Sequence, residues 1–376
     1  MSQVVIGLGF GDEGKGMFTD YLVSKNEGSM VMRISGGHQV GHMVHTNGIR
    51  HVFSNFGSGT LRGAHTFWGA HTVDPVGLVK EYKVLKGLGV DPSITIPAGC
   101  PITTPFDKIA NLQCSVTKKC GTVGVGFGKT IEREERFYSL LFIDLFYPII
   151  FREKLRLIEQ YYGIEDADLV EFYEAVKELK DIFTVYCEEY ASYTNDKEKF
   201  YSSIGNGAVY EGSQGLMLDP HIGFFPHVTR SEIVPSFSDP SMASNYYLLT
   251  RAYTTRHGNG FMPNEHITHF PIKINPYEVN VDTGIQGKFR RTMLDVDTLE
   301  YAYRRFLRRK IVEENNTYNL VITCLDHLEE YKFTYKERIQ SFRDKYEFCE
   351  NVRLLLGMKH LYISTGDTAE DVEHVS

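Results

Sequence analysis

The chain has 376 residues, 42% hydrophobic and 23% charged, with a net charge of −8. This fits one large α/β domain or two smaller ones, and it excludes a disordered or fibrous chain. The acidic balance argues against general nucleic-acid binding, no apolar run reaches the roughly 18 residues of a membrane span, and six cysteines without C-x-x-C spacing indicate neither a zinc ribbon nor a disulfide framework.

In chain order, "QVVIGLGFGDEGKGMFTDYLV" reads as a buried strand, a Gly-rich turn and a helix. The start carries no basic segment and too short an apolar run for a signal peptide, so a cytoplasmic protein with reduced thiols is expected. "MVMRISGG" is a second strand running into a loop, "GGHQVGH". Short apolar runs broken by glycine follow, then helical spacing in "PVGLVKEYKVLKGLGV" that ends at glycine, and strand and turn in "PSITIPAGCPIT". Apolar residues at i, i+3, i+4 and i+7 in "FREKLRLIEQYYG" and in the stretch from Asp168 predict amphipathic helices, and residues 131–205 read as a helical insert. "GAVYEGSQG", "NLVITCLD" and "KHLYISTGD" return to strand and loop. The expected architecture is a single α/β domain over 1–376 with a mostly parallel central sheet, flanking helices and a phosphate-loop-like N-terminus.

The stretch "GFGDEGKG" begins as a phosphate loop, G-x-x-x-x-G-K, but Gly16 stands where Ser or Thr would bind Mg²⁺. Glycines let backbone N–H groups converge on phosphate, and Lys15 adds a point charge. Asp12, an acid inside an anion site, makes sense as a Mg²⁺ ligand or as a general base. In "GGHQVGH", three glycines favour a loop, so His42 reads as a general acid rather than as half of a metal pair with His38. Asp326 in "TCLD" follows a strand. Its carboxylate accepts two hydrogen bonds, which suits the adjacent N1–H and N2–H₂ donors of guanine; the other reading is a helix cap. Lys288, Arg290 and Arg291 form a basic cluster suited to carboxylate or phosphate, or else a solvated face.

Together the motifs resemble those of the adenylosuccinate synthetase family, in its compact archaeal or phage-borne form. "GLGFGDEGKG" resembles the family's G-x-Q-W-G-D-E-G-K-G, and "GGHQVGH" its G-G-x-N-A-G-H. "GTVGVGFG", "YEGSQGLMLD", "FPHVTRS", "TTRHGNGFMPNE", "GKFRRT", "TCLD" and "STGD" follow in the family's order over nearly the whole chain. The resemblance implies a Mg²⁺-dependent ligase of purine biosynthesis that phosphorylates O6 of IMP with GTP and then displaces that phosphate with aspartate. It implies catalytic roles for Asp12, Lys15, His42 and Gln214, with Asp12 and Gly41 at the metal. The 6-oxopurine nucleotide would be held by Gln39, Thr122, Gln214, Thr229 and Lys288, and by Arg133 or Arg136 reaching from the partner of a homodimer. GTP would meet Gly14, Lys15, Gly16, Asp326, Ser364 and Gly366. Aspartate would meet Arg256, Gly258, Lys288 and Arg290.

The chain departs from the family pattern at Gly9, Phe10, Gln39, Val123, Ile285, Gln286, Lys288, Phe289 and Cys324. These positions cluster at the nucleotide's phosphate end and the amino-acid pocket. Two alternatives stay open: a phage-type enzyme using dGMP, whose base Asp gives way to a small residue, unlike Asp12 here, and a nucleotide-binding regulator without turnover.

Overall fold

The computed structural model describes residues 2–26, 29–69, 71–114, 121–183, 207–233, 244–273, 278, 280, 286–309 and 316–376. Its strands in chain order are β1 (Ser2–Gly7), β2 (Val31–Arg33), β3 (His42–Thr46), β4 (Ile49–Phe53), β5 (Thr66–Trp68), β6 (Ile94–Thr95), β7 (Val209–Glu211) and β8 (Ser244–Arg251). There follow β9 (Tyr253–His257), β10 (Phe289–Asp295), β11 (Thr317–Thr323), β12 (Tyr331–Tyr335), β13 (Arg338–Phe342), β14 (His360–Ser364) and β15 (Val372–His374). Nine of them form one sheet in the order β15-β14-β11-β8-β1-β7-β2-β5-β6, parallel except for β15. This is the mostly parallel sheet expected. Val4, Val5 and Ile6 of β1 and Leu320, Val321 and Ile322 of β11 are wholly buried, because both faces of a parallel sheet are covered.

Helix α1 (Lys15–Lys25) leaves the phosphate loop through Gly14, whose φ of 81° lies in the left-handed region. Its buried residues run almost around the helix, since it lies between the sheet and the loop after β4; buried Asp20 accepts from Nε and Nη2 of Arg62, each at 2.8 Å. Helix α2 (Pro75–Gly87) is as expected. The helices α3 (Pro105–Gln113), α4 (Phe127–Glu135), α5 (Pro148–Tyr162) and α6 (Val170–Phe183) form a helical flank. Phe151, Leu155, Ile158, Phe172 and Val176 pack there with Leu78 and Leu85 of α2 in a core of their own. Helical structure begins at Phe127, ahead of the boundary read from the sequence, and residues 184–205 of that insert lie outside the described residues.

Two features were not anticipated. Strands β9, β10, β12 and β13 form a second sheet, order β13-β12-β10-β9, and β3–β4 form a separate hairpin. Ala252 alone separates β8 from β9, so the chain passes from one sheet to the other next to the phosphate loop. Helices α7 (Val296–Leu307) and α8 (Lys345–Leu356) cover the same core as the second sheet. β1 has β7 on one side and β8 on the other, and the chain continues outward in both directions from it. Such a switch point opens a crevice beyond the carboxyl ends of the strands.

Candidate functional site

A cleft of about 1200 Å³ lies at that point, and residues 10–17 form its floor. Three neighbouring strands hold the loop carbonyls in turn. Thr255 Oγ1 donates to the carbonyl of Gly11 at 3.2 Å, Arg251 Nε to that of Asp12, and Thr323 Oγ1 to that of Glu13 at 3.3 Å. A planar trans peptide sets each following N–H opposite its carbonyl, so the N–H groups of Asp12, Glu13 and Gly14 point the other way. Together with the start of α1 they make an anion site. Asp12 is held at a φ of 58°, uncommon outside glycine, and its carboxylate faces the cleft 3.5 Å from Nε2 of His257.

The second acid of the loop turns inward. Glu13 is buried and accepts from Gly9 N at 2.6 Å; a Cβ at Gly7 or Gly215 would run into its carboxyl. Burial pushes its carboxyl well above the usual range against the pull of Lys15, so it does not repel phosphate. Burial likewise lowers the Lys15 ammonium, opposed by Glu13, and its Nζ donates to the carbonyl of Gln214.

His42 opens β3 and is 5% exposed. Its Nδ1 lies 2.6 Å from Oε1 of Glu211, at the end of β7, while its Nε2 is buried with no partner among the described residues. Burial pushes the Glu211 carboxyl up, but the His42 imidazole, its hydrogen bond and Arg33 outweigh that and hold it at about 2. Burial lowers the imidazole, with Glu211 opposing, so the ring is neutral with Nδ1–H donating to Glu211. Ser58 also donates to Glu211, through its hydroxyl and its N–H. The side-chain amide of Gln39 has both polar atoms buried and unpartnered among the described residues, as is Oε1 of Gln214.

The cleft gathers most of the residues singled out from the sequence. Asp12, Gly14, Lys15 and Gly16 line it with Gln39, Gly41 and His42. Thr122, Gln214, Thr229, Arg256, Asp326 and Gly366 line it as well. Thr122 Oγ1 is fixed by Asn111 at 2.9 Å and Thr229 N by the carbonyl of Leu218 at 2.9 Å. Arg256 lines the cleft with its donors engaged: its three guanidinium nitrogens donate to the carbonyls of Asn259, Phe261 and His227, and it lies 4.5 Å over the Phe10 ring. Burial, with repulsion from Arg290, lowers it to about 10.

Other candidates stand outside. Arg133 is wholly buried and bound to Asp107, Glu134 and two carbonyls, which suits a scaffold guanidinium closed in among α3 and α4 rather than the nucleotide contact expected of it. Arg136 is exposed at the end of α4 and is not part of the lining, although its neighbour Glu135 is. Lys288 is exposed and contributes its carbonyl, which accepts from Gly258 N at 3.0 Å, rather than a side chain in the lining. Arg290 pairs with Glu265 at 2.6 Å and with the carbonyl of Gly260. Ser364 is buried and donates to the carbonyl of Gly366 at 2.8 Å, shaping the turn rather than lining it.

The sequence reading missed Glu211, Arg251, His257 and His327. Glu211 had a signal: a lone acid closing an apolar strand ahead of a glycine, "VYEG". Arg251 comes to the cleft from the end of β8 in the main sheet, His257 from β9 of the second sheet and His327 from the turn after β11, and spacing along the chain does not reveal these placements.

A family profile described as adenylosuccinate synthetase matches residues 4–336. Similar proteins include an adenylosuccinate synthetase of Magnetococcus marinus, 32% identical over 289 residues, spanning 70% of this chain and 66% of that protein. Another, from Francisella philomiragia, is 30% identical over 319 residues, 80% of this chain and 73% of that one. Among solved structures, fully ligated adenylosuccinate synthetase from Plasmodium falciparum aligns with a TM-score of 0.76 at 16% identity over 99% of each chain. A cyanophage S-2L succinoaminodeoxyadenylate synthetase bound to dGMP and dATP aligns at 0.61 and 13%, over 99% of this chain and 95% of that one; at such identities both are likenesses of fold. The extent of the profile match and the level of identity to the bacterial proteins agree with the loop and cleft described above: the chain belongs to the adenylosuccinate synthetase family.

Proposed function

We propose that this protein ligates aspartate to the 6-position of a 6-oxopurine nucleotide, IMP, with GTP as phosphoryl donor and a 6-phosphoryl intermediate. The observation that carries the reading is the pairing, in one cleft, of an Asp12 carboxylate with an imidazole whose Nε2 is unpartnered and whose Nδ1 is fixed by Glu211.

Asp12 takes the N1 proton, which raises the nucleophilicity of O6 as that oxygen attacks the γ-phosphorus of GTP; the bond from the γ-phosphorus to the β,γ-bridging oxygen breaks and GDP leaves. The phosphate loop and Lys15 hold the charge developing on the transferred group. His42 faces the same phosphate through Nε2. Phosphate on one side and Glu211 on the other both favour the imidazolium, so the ring becomes a donor as the phosphoryl group arrives. Gln214 and Gln39 offer amides to the intermediate and the nucleotide. The aspartate amine then attacks C6 and phosphate leaves. Arg256 favours the amino acid's carboxylates by charge, while the carbonyls it holds shape the loop at 258–261.

Among the described residues no three His, Cys, Asp or Glu side chains converge as a metal site. That suits Mg²⁺ carried in with a nucleotide, which needs one or two carboxylates and completes its shell with phosphate and water. Asp12 and the carbonyl of Gly41 would hold it, and it would neutralise phosphate charge. No helix among the described residues is long and apolar enough to cross a membrane; a cytoplasmic homodimer is proposed on the family resemblance.

Purified protein is incubated with Mg²⁺, GTP and aspartate, with IMP, dGMP or GMP in separate reactions, following phosphate release and product mass. An aspartyl adduct of IMP alone supports the proposal. An adduct of dGMP instead replaces IMP as substrate, phosphate release without an adduct removes aspartate, and no release with GTP still bound leaves a regulator.

A further inference from the structure

The cleft contains a hydrogen-bonded chain that the reaction above leaves unused. Arg251, at the end of β8, donates from Nη1 to the hydroxyl of Tyr253 at 2.8 Å, and that hydroxyl lies 2.8 Å from Nδ1 of His327. The donor inventory fixes the direction of the first link: a guanidinium only donates, so the Tyr253 oxygen accepts from it. We assign the one phenolic proton to His327, which makes Nδ1 the lone-pair nitrogen. The His327 proton is therefore on Nε2, which faces Oδ2 of Asp326 at 3.6 Å. Burial pushes His327 below its ordinary range, in keeping with a neutral ring. At the far end Arg251 is anchored twice, by Glu278 at 2.8 Å and through its Nε on the carbonyl of Asp12. Tyr253 is buried, whereas the Asp326 side chain is 42% exposed. A half-exposed carboxylate on a turn rotates freely unless something holds it.

We propose that His327 is a positioning residue for the base pocket: its Nε2–H steers the Asp326 carboxylate, through a donor chain anchored on the phosphate loop, toward the paired N–H donors of a guanine. This rests on the reading of Asp326 as the residue that recognises the base. At 3.6 Å this contact is electrostatic rather than a hydrogen bond; it biases Oδ2 toward His327 and leaves Oδ1 and the outer lone pair of Oδ2 for the ligand.

The test is steady-state kinetics with GTP and IMP varied separately, in Asp326→Asn, His327→Asn, His327→Gln and Tyr253→Phe, together with direct binding of a fluorescent GTP analogue. A Gln amide can replace Nε2–H, whereas an Asn amide can replace only Nδ1. His327→Asn is expected to raise the KM for GTP about threefold, the scale of a half-exposed electrostatic contact. The KM for IMP should hold, kcat should change less, and His327→Gln should restore most of the loss. Tyr253→Phe should add little on the His327→Asn background, because the two act in one chain. An unchanged GTP affinity in His327→Asn, while Asp326→Asn weakens it, overturns the positioning role and leaves the base reading standing. Equal losses in the Asn and Gln variants, or parallel rises in both KM values, mean a merely structural histidine and also overturn it. GTP affinity unaffected by Asp326→Asn overturns the base reading and this inference with it.

Discussion

Two buried polar regions of this protein use similar side chains to opposite ends. Where α3 meets α4, Arg133 donates to Asp107 at 3.0 Å, to Glu134 at 2.8 Å and to the carbonyls of Ile102 and Tyr138, and Asp107 also accepts from Tyr162 and Thr104. In the cleft, both amide atoms of Gln39, Nε2 of His42, Oε1 of Gln214 and Nδ1 of His257 are buried without a partner among the described residues. Leaving a buried polar group unmet costs about 1–3 kcal/mol. A fold tolerates several together where a ligand meets them. Residue type does not separate scaffold from site here; hydrogen-bond satisfaction does.

The comparison breaks most sharply at His42. His42→Asn keeps an amide donor for Glu211 but removes Nε2, and kcat should fall on the order of 10³-fold with little change in Tm. A modest loss of turnover would place the acid elsewhere. Arg133→Met should do the reverse. Stranding Asp107 without its cation should cost about 3 kcal/mol or more in a denaturation curve, while the folded protein keeps its kcat/KM. Selective loss of activity at full stability would return Arg133 to the site.

Glu211 lies between the two kinds of region, satisfied itself while orienting an unsatisfied partner. Glu211→Gln should lower kcat between about 10-fold and 100-fold by loosening the imidazole. Its carboxyl is held at about 2, below the ordinary 4.5, so its contribution to stability is complete above about pH 4.5 and fades as pH falls toward 2. Tm measured against pH should therefore show a shallower acid limb in the variant; identical limbs would mean that the contacts of the Glu211 carboxylate contribute nothing. The smallest effect is the sharpest. Gln39→Leu should raise the stability of the ligand-free protein by about 1 kcal/mol, because an unmet amide is replaced by an apolar group, while weakening nucleotide binding. Lower stability would show that the amide has partners in solution.

The sequence by itself determined the phosphate loop, the parallel strands and the chain order of the motifs. Each of these is local: a glycine run between an apolar strand and a helix, or a short apolar run ending in a polar turn. Asp12, Lys15, His42 and Asp326 could be named for that reason, Gln214 only through the family resemblance, and all line the cleft. What decided the rest is long-range pairing. The register Arg290↔Arg256 across β9 and β10 places two expected aspartate ligands on adjacent strands, where loop carbonyls and Glu265 occupy their donors. The parallel pairing of β7 with β1 and β2 carries Glu211 to His42, 169 residues away in sequence. Burial closed Arg133 in among α3 and α4 and folded Glu13 under the loop. Composition and spacing cannot reveal these outcomes, because whether a charged side chain faces a ligand or a buried partner depends on which strands pair and which helices cover them.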